Sequence, residues 1–193
     1  VIRAYLENGF QSQPQPVMLY YFGHFFRHEK PQRGRFRQFW QFGLETIGSS
    51  KSIADALTIK LCLLMLSEVG LSKRRVEINS IGDNECRPAY RRELVNYYKK
   101  HLKDLCPDCR ERLKINPLRL LDCKHPGCQE LKIAAPTALG FLCPNCKAHF
   151  KEVLEYLDAM GIEYEINNNL VRGLDYYSRT VFEISEPAVL LPI

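Results

Sequence analysis

Residues 35–45 alternate with a period of two, which is the pattern of an extended strand. The stretches VMLYYFGHFF and RFRQFWQFGLE flank the turn-prone loop RHEKPQRG, so residues 17–48 predict one long antiparallel hairpin. In its second strand, one face would carry Arg35, Arg37, Phe39, Gln41, Gly43 and Glu45. The other face would carry Phe36, Gln38, Trp40, Phe42 and Leu44, and we predict that this face packs on the core.

Three later segments have the apolar spacing of helices. The first follows Ser49 and Ser50 and ends at Gly70, the second has Pro88 in its first turn, and the third ends at Gly161. A strand is predicted at residues 76–81, and residues 162–184 predict two strands around a turn. Strands, then helices, then more strands indicate an α+β fold, an antiparallel sheet flanked by helices.

The region between the second and third helices differs in character. It is rich in loops and contains six of the eight cysteines, which predicts a small cysteine-rich helical insertion. We therefore divide the chain into a first part of the core at residues 1–105, an inserted module at 106–149, and a second part of the core at 150–193.

Composition and charge add modest constraints. The net charge of +5 fits an anionic partner without requiring one. The sequence has neither the layout of a signal peptide at its start nor an apolar run long enough to span a membrane. Eight cysteines without a secretory leader indicate a reducing compartment, so we expect a cytoplasmic protein without membrane contact.

The cysteines of the module have the spacing of metal ligands. Cys106 and Cys109 form one Cys-x-x-Cys knuckle, and Cys143 and Cys146 form a second. Four thiolates in two knuckles suit a structural, tetrahedral Zn²⁺ ion. Cys123 and Cys128 lie between the knuckles, and either is an alternative ligand. Six reduced cysteines without metal remain the plain alternative.

The polar face of the second hairpin strand has two interpretations. A strand face with charges is commonly just solvated. However, its cations are arginines, whose planar fork binds phosphate in a bidentate way, and an aromatic ring lies among them. The face therefore also fits a pocket for a phosphate and a base.

The stretch FRHEKPQRGRFRQFWQFGLETIG, residues 26–48, resembles motif 2 of the class II aminoacyl-tRNA synthetases in the form found in histidyl-tRNA synthetases. The stretch LVRGLDYYSRTVFE, residues 170–183, is similar to the histidine-specific motif of the same family. INSIGD, CRPAYRREL and NPLRLLDCK also resemble that family. The resemblance covers nearly the whole chain, to about residue 184. It implies a class II synthetase fold.

The resemblance also implies roles for individual residues. Arg27 and Arg172 would contact the ATP α-phosphate as catalytic residues, and Arg27 would also contact the histidine carboxylate. The other ATP-binding residues would be Glu29 at the adenine end, Arg35 on the outer phosphates and Phe39 as the shelf for adenine. The histidine-binding residues would be Gln41 for the amino group, Glu45 for the imidazole, and Tyr176 and Tyr177 lining the pocket.

The implied activity is ATP-dependent activation of histidine to histidyl-adenylate, with Mg²⁺ on the phosphates, and transfer to tRNA(His). The family's motif 1, which forms the homodimer interface, and its motif 3 have no counterpart in the sequence. We therefore expect an internal fragment of a ligase that forms a homodimer at full length, with little or no aminoacylation on its own.

Two rival functions remain. One is an inactive paralogue that serves as the histidine-sensing regulatory subunit of ATP phosphoribosyltransferase, although such a sensor does not need the three arginines at positions 27, 35 and 172 together. The other is a zinc-knuckle protein that binds nucleic acid. That function leaves the hairpin and VRGLDYY unexplained.

Overall fold

A computed structural model of the chain describes residues 1–28, 30, 35–171 and 176–186. The chain divides into two compact units, Val1–Thr58 and Ile59–Ile193. Each unit is built around its own strands. The predicted division at residues 105/106 and 149/150 concerns the insertion and stays a prediction.

The first unit is dominated by the predicted hairpin. Helix α1 (Ile2–Glu7) and a short 3-10 turn (Phe10–Ser12) precede strand β1 (Val17–Phe26), which pairs antiparallel with strand β2 (Gln38–Ile47). The register is continuous over ten pairs, from Val17 opposite Ile47 to Phe26 opposite Gln38. Both strands are rich in aromatic residues, which favour extended backbone, so the hairpin prediction is confirmed.

The prediction that the Phe36, Trp40 and Phe42 face packs on the core is wrong for the described residues. Trp40 is 57% exposed, and Phe22, stacked on it with ring centroids 4.8 Å apart, is 69% exposed. The same face of β1 carries further exposed apolar side chains, including Met18, Tyr20 and Phe26. The residues on the opposite face of the hairpin are half-buried instead. The predicted alternation along the strand is correct, but the face predicted to pack on the core is the exposed one.

Helix α2 (Ser52–Glu68) crosses the boundary between the units. The second unit then forms a three-stranded sheet from β3 (Arg75–Ser80), β4 (Glu165–Ile166) and β5 (Thr180–Ser185), with β3 in the centre. Strand β5 pairs antiparallel with β3, whereas β4 pairs parallel with it. The two predicted strands of residues 162–184 therefore exist, but they flank β3 and do not pair with each other. The sheet is mixed where an antiparallel one was expected.

Four helices of the second unit lie between β3 and β4 along the chain. Helix α3 (Arg87–Lys100) follows β3, the shorter α4 (Pro107–Ile115) and α5 (Pro126–Ile133) lie in the cysteine-rich region, and α6 (Pro144–Ala159) leads to β4. Short 3-10 turns at Pro117–Leu120 and Ala138–Phe141 connect them. All four helices have a proline in the first turn, where its missing N–H costs nothing.

The core of the second unit is continuous from the sheet into the cysteine-rich region. Tyr90, Leu94 and Tyr98 of α3 are almost fully buried, and they pack in one cluster with Leu120 and Cys128. The insertion therefore shares a core with α3. Among the described residues, no helix is long and apolar enough to cross a membrane.

Candidate functional site

One face of the β1–β2 hairpin gathers most of the polar residues predicted to bind ligands. Because side chains alternate along a strand, Phe39, Gln41 and Glu45 all lie on this face of β2. Arg27 follows the last residue of β1, and its N–H donates to the carbonyl of Arg37 at 2.8 Å. This bond extends the strand ladder beyond β1 and directs the Arg27 side chain toward the same face. We call this surface the polar face of the hairpin.

Direct contacts connect four residues of the polar face. The Arg27 Nη2 atom donates to Gln41 Oε1 at 3.1 Å. The Arg27 guanidinium carbon lies 4.8 Å from the centroid of the Phe39 ring, a cation–π distance. Gln41 Nε2 donates to Tyr21 Oη at 2.7 Å. A guanidinium, an aromatic ring and an amide are therefore held side by side.

Tyr21 is a member of this site that the sequence reasoning did not identify. It lies opposite Gly43 in the strand register, and its ring also contacts Phe25 with centroids 5.5 Å apart. A Cβ atom on Gly43 would lie 2.6 Å from Tyr21 Cε1 and closer still to Cζ and Oη. Gly43 thus leaves the space in which the Tyr21 ring reaches Gln41. A lone glycine between apolar residues in a strand was the signal that could have indicated this close approach.

The other predicted ligand-binding residues of the hairpin are located by strand position and exposure. Glu45 is half-buried on the polar face, and Arg35 is exposed just before β2. Glu29 lies outside the described residues, as does Arg172. The structure thus joins Arg27, Phe39 and Gln41 by contacts and places Glu45 on the same face.

The predicted tyrosines of the histidine-specific motif lie in the second unit. Tyr176 is 78% exposed and Tyr177 is 37% exposed, and their ring centroids lie 5.0 Å apart. Arg87 Nη2 donates to the carbonyl of Tyr177 and also to that of Gly82, the latter at 3.1 Å. Tyr177 lines one end of a cleft of about 420 Å³ that runs along β5. A side chain at this position can contact a small ligand.

The cysteines form two clusters where the sequence predicted one site. Cys106 and Cys109 meet Cys123 and Cys128, which we call the four-cysteine cluster. The Sγ atoms of Cys106 and Cys123 lie 3.8 Å apart. Cys143 and Cys146 lie elsewhere, with Asp83 and Cys86. The prediction that the two knuckles share one ion is therefore not supported, whereas the alternative ligands Cys123 and Cys128 do complete a set of four.

Hydrogen bonds and burial shift the pKa values in the four-cysteine cluster in opposite directions. Burial raises the pKa of Cys109, as do hydrogen bonds with the thiols of Cys123 and Cys106. Burial also raises the pKa of Cys106, but hydrogen bonds from the Cys109 backbone and from the thiols of Cys109, Cys128 and Cys123 outweigh it, so the net pKa is lowered. The neighbouring thiols thus lower the pKa of Cys106 by hydrogen bonding to its sulfur. This cluster could hold a metal ion.

The sequence pattern did not indicate Asp83 and Cys86 as metal ligands, because neither belongs to a Cys-x-x-Cys pair. Their spacing, Asp-x-x-Cys, is the same as that of the Cys143 knuckle. In the structure, a hydrogen bond from the Cys146 thiol lowers the pKa of Asp83 to about 2, against a smaller effect of burial, with the N–H groups of Glu85 and Cys86 also contributing.

Comparison with known proteins supports the family resemblance. Residues 2–82, which include the hairpin, match the family model described as histidyl-tRNA synthetase. The chain is 51% identical over 183 residues to a histidine–tRNA ligase of Desulforamulus reducens, covering 95% of this chain and 44% of that protein. The chain thus spans less than half the length of the curated relatives it matches.

Solved structures of similar fold point to the same family as the sequence comparisons. The fold matches that of an apo histidyl-tRNA synthetase from S. aureus with a TM-score of 0.72 and 37% identity, over 95% of this chain and 42% of the other. A protein from Bacillus halodurans, described as an ATP phosphoribosyltransferase regulatory subunit/histidyl-tRNA synthetase, matches with a TM-score of 0.62 at 24% identity, over 98% of this chain and 53% of the other, which shows the fold alone.

These findings define the chain as part of the α+β catalytic domain of a class II aminoacyl-tRNA synthetase. Within that class, the chain is similar over 95% of its length to histidyl-tRNA synthetases.

Proposed function

We propose that the chain is part of a histidine–tRNA ligase and that the polar face of its hairpin binds ATP and histidine. The observation that carries this proposal is the contact network of Arg27, Phe39, Gln41 and Tyr21. It supplies a cation for a phosphate, a ring for a base and an amide for a polar substrate group. A merely solvated face has no need to hold these three groups in contact.

The orientation of the Gln41 amide supports its role. Since Nε2 donates to Tyr21, Oε1 points toward Arg27 and is left as an acceptor. The ammonium group of an amino acid donates hydrogen bonds only, so it fits Oε1. Meanwhile Arg27 can grip the carboxylate of the same amino acid or the α-phosphate of ATP. The pair therefore recognises both ends of the reacting group.

The chemistry requires charge stabilisation and no general base. The histidine carboxylate is already ionised, and it attacks the α-phosphorus of ATP as pyrophosphate leaves. Negative charge grows on the α-phosphate oxygens, where the fixed positive charge of Arg27 stabilises the transition state. Mg²⁺ neutralises the outer phosphates when bound. The histidyl group then passes to the terminal adenosine of tRNA(His).

The other proposed roles rest on the motif resemblance. Arg172 would contact the α-phosphate, Glu29 the adenine end of ATP and Arg35 its outer phosphates. Tyr176 and Tyr177 would contact the bound histidine, and Glu45 would accept a hydrogen bond from its imidazole. We also propose a homodimer in the full-length protein and a cytoplasmic location.

We further propose that the four-cysteine cluster holds one structural Zn²⁺ ion. Four thiolates in tetrahedral arrangement place their sulfur atoms about 3.8 Å apart at a Zn–S distance of about 2.3 Å. The Cys106–Cys123 separation of 3.8 Å matches this value. The ion would stabilise the insertion and take no part in the chemistry.

Calorimetric titration with ATP, histidine and a non-hydrolysable histidyl-adenylate analogue tests the proposal. Gln41→Ala should weaken binding of the analogue, because it removes the acceptor for the substrate amino group. Gln38→Ala is the matched control, since it removes the same residue type from the opposite face of the same strand. Equal effects of the two changes, or no response of the unaltered chain to any of the three ligands, would contradict the proposal.

Calorimetric titration of an Arg27 variant also separates the ligase from the rival function, a histidine-sensing regulatory subunit. A histidine sensor without synthetase activity should bind histidine and be indifferent to the arginines of the polar face. Arg27→Ala should then leave histidine binding unchanged, whereas a ligase site should lose affinity for the adenylate analogue.

A further inference from the structure

Asp83, Cys86, Cys143 and Cys146 form a second cluster of potential metal ligands outside the hairpin and outside the four-cysteine cluster. Their ligand atoms all lie within 4.8 Å of one another. Cys86 and Cys146 are buried, and Asp83 and Cys143 are half-buried. We propose that these four residues bind a single divalent, thiophilic metal ion of the Zn²⁺ class. The chain would then hold two ions in separate sites.

The donor set fits such an ion. Three thiolates and one carboxylate provide four ligands, the number that zinc takes in structural sites, and both ligand types bind zinc at about 2.0 to 2.3 Å. Two ligands come from an Asp-x-x-Cys segment and two from a Cys-x-x-Cys segment, so each pair spans one tight turn. Ligand atoms within 4.8 Å of one another leave room for one ion at the centre.

The backbone around the ligands is shaped to present them. The N–H of Asp83 donates to Cys86 Sγ at 3.3 Å, and the N–H of Cys146 donates to Cys143 Sγ at 3.5 Å. Such N–H···S bonds orient a sulfur ligand and favour its thiolate form. The four-cysteine cluster has the same feature, because the N–H of Cys106 donates to Cys128 Sγ at 3.4 Å.

Gly82 provides the turn that brings Asp83 and Cys86 together. Its φ of +67° lies in the left-handed region that favours glycine, and a Cβ at this position would collide with Cys86 Sγ. Any other residue there would push the thiol out of the cluster. The local sequence is thus suited to holding the sulfur close to the backbone.

Positively charged groups near the second cluster can offset the negative charge of its ligands. Three thiolates and a carboxylate carry four negative charges, of which a divalent ion neutralises two. Arg179 Nη2 lies 4.0 Å from Asp83 Oδ2, and Cys143 is the N-cap of the 16-residue helix α6. The positive end of that helix faces the cluster.

The position of the cluster gives it a specific structural role. Asp83 and Cys86 lie before the inserted module of residues 106–149, between β3 and α3, whereas Cys143 and Cys146 lie in the last part of the module, at the start of α6. An ion bound here would join the last part of the inserted module to the segment between β3 and α3. The four-cysteine cluster lies within the module and cannot do so.

Metal content of the purified chain tests the proposal. The unaltered chain, loaded with Zn²⁺ and desalted, should hold two ions. The double variant Cys86→Ser/Cys146→Ser should hold one, and so should the matched control Cys109→Ser/Cys128→Ser in the other cluster. Combining both pairs should leave none. One ion in the unaltered chain that only the control pair removes would overturn the proposal, as would iron with inorganic sulfide.

Asp83→Cys keeps the test decisive if the serine variants fail to fold. It converts the donor set to four thiolates, so the second ion should be retained and should resist a chelator such as EDTA at least tenfold longer. Loaded with Co²⁺ in place of Zn²⁺, the same variant should shift the d–d absorption bands to longer wavelength, because a thiolate replaces a carboxylate. A spectrum identical to that of the unaltered chain would show that Asp83 does not bind the ion.

Discussion

Gly43→Ala should weaken ligand binding while changing stability only slightly. The added Cβ would lie well inside contact distance of the Tyr21 ring, so the ring must swing away from its place over position 43. The ring is the mobile end of a side chain, which makes this movement possible without shifting the strands. This movement breaks the hydrogen bond that Gln41 Nε2 donates to Tyr21 Oη.

The magnitudes can be worked out from these contacts. Losing the Gln41–Tyr21 hydrogen bond should cost about 1 kcal/mol, and loosening the Tyr21–Phe25 ring pair about 0.5–1 kcal/mol more. Replacing a strand glycine by alanine returns about 0.5–1 kcal/mol by restricting the unfolded chain. The free energy of unfolding should therefore fall by only about 1 kcal/mol. Because the Gln41 amide is no longer held, affinity for the adenylate analogue should fall about fivefold.

Two assays separate these effects. Calorimetry measures the affinity, and urea unfolding followed by far-UV circular dichroism measures the stability. Gly23→Ala is the matched stability control, since Gly23 lies in the partner strand and a Cβ there would meet nothing within 4 Å. Tyr21→Phe removes the hydroxyl alone and should weaken binding to a similar degree.

If the reasoning holds, combining Gly43→Ala with Tyr21→Phe should weaken binding little more than either change does alone, because both act through the same hydrogen bond. Fully additive losses would refute this explanation. So would a Gly43→Ala chain that binds the analogue normally while Tyr21→Phe does not.

Other changes test separate features. Arg27→Lys should reduce affinity for the adenylate analogue about tenfold or more in calorimetry, because an ammonium cannot reproduce the bidentate grip of the guanidinium; unchanged affinity would exclude Arg27 from the phosphate site. Removing zinc with a strong chelator, or changing Cys109→Ser, should lower the thermal midpoint by several degrees, on the scale of about 2–4 °C per kcal/mol lost; a midpoint insensitive to both would show that the four-cysteine cluster is not a metal site. Trp40, exposed beside Phe22, should give red-shifted emission that acrylamide quenches strongly, and a blue-shifted, protected emission would show that this face of the hairpin is covered in solution.

Much of the hairpin was predictable because its information is local. Alternation along residues 35–45 places Phe39, Gln41 and Glu45 on one face wherever the strand lies, since the pleat of a strand fixes that relation. The same alternation does not say which face is buried. Aromatic residues at positions 36, 40 and 42 favoured the wrong choice, because burial depends on what packs against the strand and not on the strand itself.

The sequence alone therefore determined the hairpin, the three longest helices, the two faces of the hairpin and the knuckles of residues 106–109 and 143–146, all of which depend on neighbours a few positions apart. Only the tertiary structure decided which distant segments meet. It placed β3 between β4 and β5, it gave each knuckle a different partner, and it completed the second cluster with Asp83 and Cys86. The physical reason is that spacing along the chain fixes local geometry, whereas contacts between remote residues are set by how the whole unit buries its apolar surface.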